Sequence, residues 1–141
     1  MNTIFTLHPK LEAESSFITD LDLCRLLLIN DSHYPWTVLV PMINDATEIY
    51  KLDSDDQTLL WRESALLCKT MDELFKPDKM NVAAIGNMVP QLHLHHVARF
   101  RTDQAWPAPV WGYAQASPYT PELNQKRVTM IKEELQSQRL Q

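Results

Sequence analysis

Three of the five histidines in this 141-residue chain fall within four positions, at His93, His95 and His96. In an extended strand successive side chains alternate between faces, so Gln91, His93 and His95 would form one row and Leu92, Leu94 and His96 the other. Neighbours in a row are about 6.6 Å apart, from a rise of ~3.3 Å per residue. Two imidazoles and an amide make a poor core face but suit an anionic group laid along the strand. Two other readings stay open. The histidines could simply line a solvated strand face. Alternatively, His93 and His95 could ligate zinc or iron, although such sites normally take three or more protein ligands, His96 points the other way, and His8 and His33 lie in less defined segments.

The flanking sequence suggests what holds this row. Cys24 to Ile29 is a short apolar run, Asn30 to Pro35 carries turn formers, and Trp36 to Val40 is rich in aromatic and β-branched residues, which predicts a hairpin. Asp53 to Asp56 places a capping residue and negative charge before an apolar-periodic run that stops at Pro77, predicting a long helix over about residues 55–75. A calcium-loop reading of this acidic cluster lacks the glycine and the closing glutamate. Asn81 to Ile85 reads as a buried strand closed by the turn pair Gly86-Asn87, and Gln91 to Phe100 as another strand. Asp103 to Pro121 is a loop with four prolines and two tryptophans. Thr120-Pro121-Glu122 then opens a helix to about residue 138, packing through Leu123, Met130 and Ile131 and the stems of Arg127 and Glu134. Strands on short links, one long helix and a terminal helix together predict an α+β fold with a mainly antiparallel sheet.

Composition limits the chemistry. Gly86 and Gly112 are the only glycines, where average usage would give roughly 10. Neither a dinucleotide fingerprint nor a Walker phosphate loop can be built from two distant glycines. Any nucleotide phosphate must therefore be held by side chains and ordinary backbone amides. A net charge of −5 offers no basic stripe for a nucleic acid polymer. No apolar run approaches the ~20 residues needed to span a membrane. The first twenty residues lack an apolar segment behind a basic start, and Cys24 and Cys68 sit among apolar neighbours, so buried thiols in a cytoplasmic, reducing setting are expected. The length suggests one domain over residues 1–141.

The segment GNMVPQLHLHHVARF, taken with CRLLLINDSHYPWTVLVP, resembles the histidine triad (HIT) superfamily. Its signature is His-φ-His-φ-His-φ-φ, where φ is apolar, after a Gly-polar-x-Val turn. Here it reads Gln91-Leu92-His93-Leu94-His95-His96-Val97, with Gln91 at the first histidine position and His96 at the first closing apolar position. The likeness spans about residues 15–112 and implies a HIT-like sheet of about five strands. It further implies a homodimer without a cofactor, acting as a nucleotide hydrolase or nucleotidyl transferase on a dinucleoside polyphosphate or nucleoside phosphate conjugate. His93 matches the histidine that attacks the α-phosphate to form a nucleotidyl-histidine, and His95 the one that hydrogen-bonds the phosphate. Asn87 matches the turn that sends polar groups toward the phosphate, and Asn30 the hairpin region that meets the nucleoside.

Gln91 can donate a hydrogen bond but cannot shuttle a proton, so the leaving group either needs none or receives one from elsewhere. A catalytically weak nucleotide-binding protein is the competing reading. Arg99 shares the row's strand face if alternation continues, and is expected to meet phosphate unless it is a solvated strand-end charge. Trp106 and Trp111 are candidates to stack on a base, with core or dimer packing as the alternative.

Overall fold

The computed structural model describes residues 4–141. Residues 1–3 of the expected 1–141 domain lie outside the described residues. A short helix α1 (Pro9–Ala13) leads into β1 (Ser15–Asp20), β2 (Cys24–Ile29) and β3 (Trp36–Pro41). A 3-10 turn at Ile49–Lys51 precedes α2 (Ser54–Phe75), then come β4 (Lys79–Ala83), β5 (Leu94–Arg99) and α3 (Pro121–Arg139). The five strands form one sheet in the order β1-β2-β3-β5-β4, with every neighbouring pair antiparallel. This is the expected α+β architecture.

Local chemistry explains the helix ends. The Asp53 carboxylate accepts from the Asp56 N–H at 2.9 Å, filling one of the donors a helix start leaves open. The Thr120 hydroxyl accepts from the Leu123 N–H, with Pro121 at the first helical position. At the other end of α2, Lys76 turns into the left-handed region just before Pro77.

Alternation divides the apolar residues between two layers. Cys24, Leu26, Leu28, Leu39, Leu94 and Ala98 face α2 and α3 in the main core. Leu27, Val38 and Val40 face the other way, against Leu11 and Val89, with Phe5 and Leu7 of the N-terminal segment packed alongside. Next to them, Tyr34 and Val97 lie under Ala105 and Val110 of the 103–119 segment. Both faces of the central strands are therefore covered, which is why CRLLLI is apolar at nearly every position.

Two strand boundaries and one helix face depart from the sequence reading. The strand expected over 81–85 runs from Lys79 to Ala83 at the sheet edge, with Val82 exposed, because it pairs only with β5. The strand expected from Gln91 begins only at Leu94, since the chain between the Gly86 turn and that point runs beside the N-terminal segment. The buried stripe of α3 is Val128, Ile131 and Leu135, while Leu123 is exposed.

Candidate active site

The second layer does not close over β5. Between α1, the turn at Ile85–Val89 and the 103–119 segment lies a cavity of about 570 Å³, lined by His93 and His95 together with Asn30, Asp31, Trp36, Asn87 and Trp111. Leu11, Ile29 and Val89 give it an apolar wall. Gly86 turns the chain at a φ of +67°, in the left-handed region, and so carries Asn87 to the rim.

The two histidines are held differently. His93 Nδ1 lies 2.7 Å from the backbone carbonyl of Gln91. A carbonyl only accepts, so in the neutral ring Nδ1 carries the proton and Nε2 keeps a lone pair. His95 receives a hydrogen bond at Nδ1 from the indole N–H of Trp36 at 3.0 Å. The ring centroids of His93 and His95 are 4.9 Å apart, and Trp111 lies 5.3 Å from His95 on the cavity wall. Burial, assisted by the neighbouring His93 and His96 rings, pulls the pKa of His95 down to about 4. His95 is therefore neutral at pH 7. For both rings Nε2 has no hydrogen-bond partner among the described residues.

His96 points to the opposite face, as alternation requires. Its Nε2 meets the Ser64 hydroxyl at 2.7 Å and its Nδ1 the Leu94 carbonyl at 3.0 Å, deep against α2. Among the described residues no three His, Cys, Asp or Glu side chains are grouped to hold a metal ion.

The remaining candidates divide. Asn30 and Asn87 both line the cavity, though Asn30 Oδ1 is occupied by the Tyr119 N–H at 2.9 Å. Gln91 is not in the row with His93 and His95. Its amide oxygen accepts from the His8 N–H at 2.8 Å and its amide nitrogen donates to the Thr6 carbonyl at 2.9 Å. Gln91 therefore reaches the site through its backbone carbonyl, not its side chain.

Arg99 lies on the predicted face but does not line the cavity. It is 1% exposed, paired to both oxygens of Asp103 at 2.9 and 3.0 Å and donating to Asn81 Oδ1 at 2.8 Å. Asp103 also accepts from the N–H groups of Phe100 and Trp106. Burial opposes its charge, but the Arg99 guanidinium and these N–H groups outweigh it and hold the carboxyl below the usual range. Trp106 lies against this ion pair, 5.6 Å from the guanidinium, and is likewise absent from the cavity lining. Their shared effect is to tie down the start of the segment that carries Trp111.

Sequence reasoning missed Asp31 and α1. Asp31 is a 4% exposed carboxylate on the cavity wall, its Oδ1 meeting His33 Nδ1 at 2.8 Å and accepting from the backbone N–H groups of His33 and Ser117. The dipeptide His8-Pro9 was the signal for α1, since the His8 side chain caps it and proline takes its first turn.

An antiparallel sheet backed by two helices thus carries two imidazoles, His93 and His95, that line one cavity. The HIT domain family model matches residues 10–102, so the chain belongs to the HIT domain family, which includes nucleotide hydrolases and transferases. A histidine triad protein from Marinobacter aquaeolei VT8 is 45% identical, with 96% of this chain and 98% of that one covered at a TM-score of 0.92. A histidine triad protein from Bradyrhizobium japonicum is 39% identical, with 94% and 99% covered at a TM-score of 0.91. A diadenosine triphosphate hydrolase from Plasmodium falciparum, 17% identical with 89% and 78% covered, shares the fold at a TM-score of 0.61. No curated protein matches the sequence.

Proposed function

We propose that the chain is a nucleotide hydrolase or nucleotidyl transferase acting at the α-phosphate of a dinucleoside polyphosphate or nucleoside phosphate conjugate. The observation that carries this reading is the pair of unpartnered Nε2 atoms, on His93 and His95, in one cavity of about 570 Å³. In the first step the His93 Nε2 lone pair attacks phosphorus, forming a P–N bond as the bond to the leaving group breaks. In the second, water or another acceptor attacks phosphorus and gives up its proton to solvent as the P–N bond breaks, returning the ring with its proton on Nδ1. Splitting the substitution in two lowers each barrier. His95, with Asn87 at the rim, hydrogen-bonds the phosphate oxygens as charge shifts onto them. Asn30 and Asp31 face the nucleoside end, and Trp111 offers an aromatic wall for it.

The side chain of Gln91 is occupied by Thr6 and His8 and brings no proton. The reading therefore favours leaving groups that depart as stable anions, as a pyrophosphate-type group does. A cytoplasmic homodimer belongs to the same reading. The free thiols of Cys24 and Cys68 are in keeping with a reducing compartment, and the open edge of β4 with exposed Val82 offers a surface for a second copy.

The test is turnover of a panel of dinucleoside polyphosphates and adenylated conjugates in the presence of chelator. Release of nucleoside monophosphate is the expected outcome. Binding without release would leave a nucleotide-binding protein, and activity abolished by chelator would favour a metalloenzyme.

A further inference from the structure

Two imidazoles of one cavity cannot serve a phosphate in different ways unless something assigns their protons. For His93 the assignment comes from the Gln91 carbonyl. For His95 it comes from across the sheet. Trp36 is the first residue of β3 and opposes Val97 on β5, two positions from His95 on the same face. That diagonal is within reach of a large aromatic side chain. The indole lies 5.7 Å from the His95 ring, centroid to centroid, and its Nε1–H is 3.0 Å from His95 Nδ1.

An indole nitrogen donates and never accepts, whereas a neutral imidazole has one nitrogen of each kind. We infer that Trp36 is a positioning residue that fixes His95 as the tautomer protonated on Nε2, so that the open atom in the cavity is a hydrogen-bond donor. His93 and His95 are then opposites, one presenting a lone pair and the other an N–H. Neighbouring tryptophans are not equivalent in this respect. Trp111 packs against His95 and Trp36 at 5.3 and 6.4 Å between centroids, without a hydrogen bond to His95. The inference rests on the nucleotidyl-transfer reading for its purpose, but the tautomer itself can be observed without any substrate.

The experiment is nitrogen-15 NMR of the histidine side chains in the full chain, free of nucleotide, at pH 7. The expected spectrum has His95 protonated on Nε2 and bare on Nδ1, the reverse of His93, with the Trp36 indole proton slow to exchange. In Trp36→Phe, which keeps an aromatic ring but removes the donor, His95 is expected to populate both tautomers, while Trp111→Phe leaves its tautomer unchanged. On any substrate found to turn over, Trp36→Phe should lower kcat roughly 10- to 100-fold, the usual scale for a partner that orients a reacting group, with a smaller change in KM. His95 carrying its proton on Nδ1 in the unsubstituted protein would overturn the inference even if Trp36→Phe failed to fold. An unchanged His95 spectrum in folded Trp36→Phe would overturn it as well. A locked tautomer in a protein that turns over no nucleotide would uphold the inference and defeat the nucleotidyl-transfer reading.

Discussion

His95 and His96 are adjacent in the chain, and burial pulls the pKa of each down to about 4. On protonation state alone they would be taken for a pair. Their nitrogens distinguish them. His96 gives both ring nitrogens to the protein, one to Ser64 and one to Leu94. His95 gives only Nδ1 and leaves Nε2 in the cavity. A depressed pKa thus marks a buried imidazole without saying what it is for, and the unspent hydrogen-bonding capacity separates a candidate site residue from a core residue.

The contrast extends along β5 and can be broken at several points. Arg99, on the His95 face, is a packing residue in this account despite its charge. Replacing it with alanine leaves Asp103 buried and unpaired, and chemical denaturation should show a loss of about 3–5 kcal/mol. Fully stable Arg99→Ala with weakened nucleotide binding would place Arg99 in the site after all. His95→Ala should act the other way, lowering kcat roughly 10²- to 10³-fold, the scale for losing one preorganised donor, with little change in the unfolding midpoint.

Acid should expose His96. Its folded pKa lies near 4, below the ordinary 6.5, so between those values the unfolded chain binds a proton that the folded chain does not. Stability therefore falls as pH drops from 6.5 to about 4, by roughly 3 kcal/mol for the fully buried His96 and by less for His95, whose open side can take up water. Urea titrations at pH 7, 5.5 and 4.5 should trace this slope, and His96→Leu should flatten most of it while His95→Ala flattens the smaller part.

Gly86→Ala should have the smallest effect. An added Cβ would come no nearer than 3.6 Å to the Val89 carbonyl, so the cost is that of a left-handed φ, about 1 kcal/mol. Nucleotide affinity should stay near that of the unsubstituted protein, and a large loss would show that the turn must flex on binding.

The parts of this molecule legible in the sequence are those set by local chemistry. Asp53 and Thr120 begin helices within a residue of where their capping side chains imply, and alternation sends His95 and His96 to opposite faces. The parts that were not legible depend on partners distant in the chain. Strand periodicity carried back to Gln91 could not register the backbone of Thr6 and His8, which claims its amide. Alternation put Arg99 on the right face, but only the fold of the loop brings Asp103 over it. Trp36 looked like an ordinary β-forming residue because nothing local shows that its N–H meets His95, 59 positions further on.

The central claim is that His93 carries the nucleotidyl group. It is tested most directly by mixing the protein with a nucleotide substrate labelled at its α-phosphate, quenching in alkaline denaturant and mapping the label by mass spectrometry. The account predicts one nucleotidyl group on His93, released by acid and absent from His93→Ala. Label or full turnover persisting in His93→Ala would contradict it.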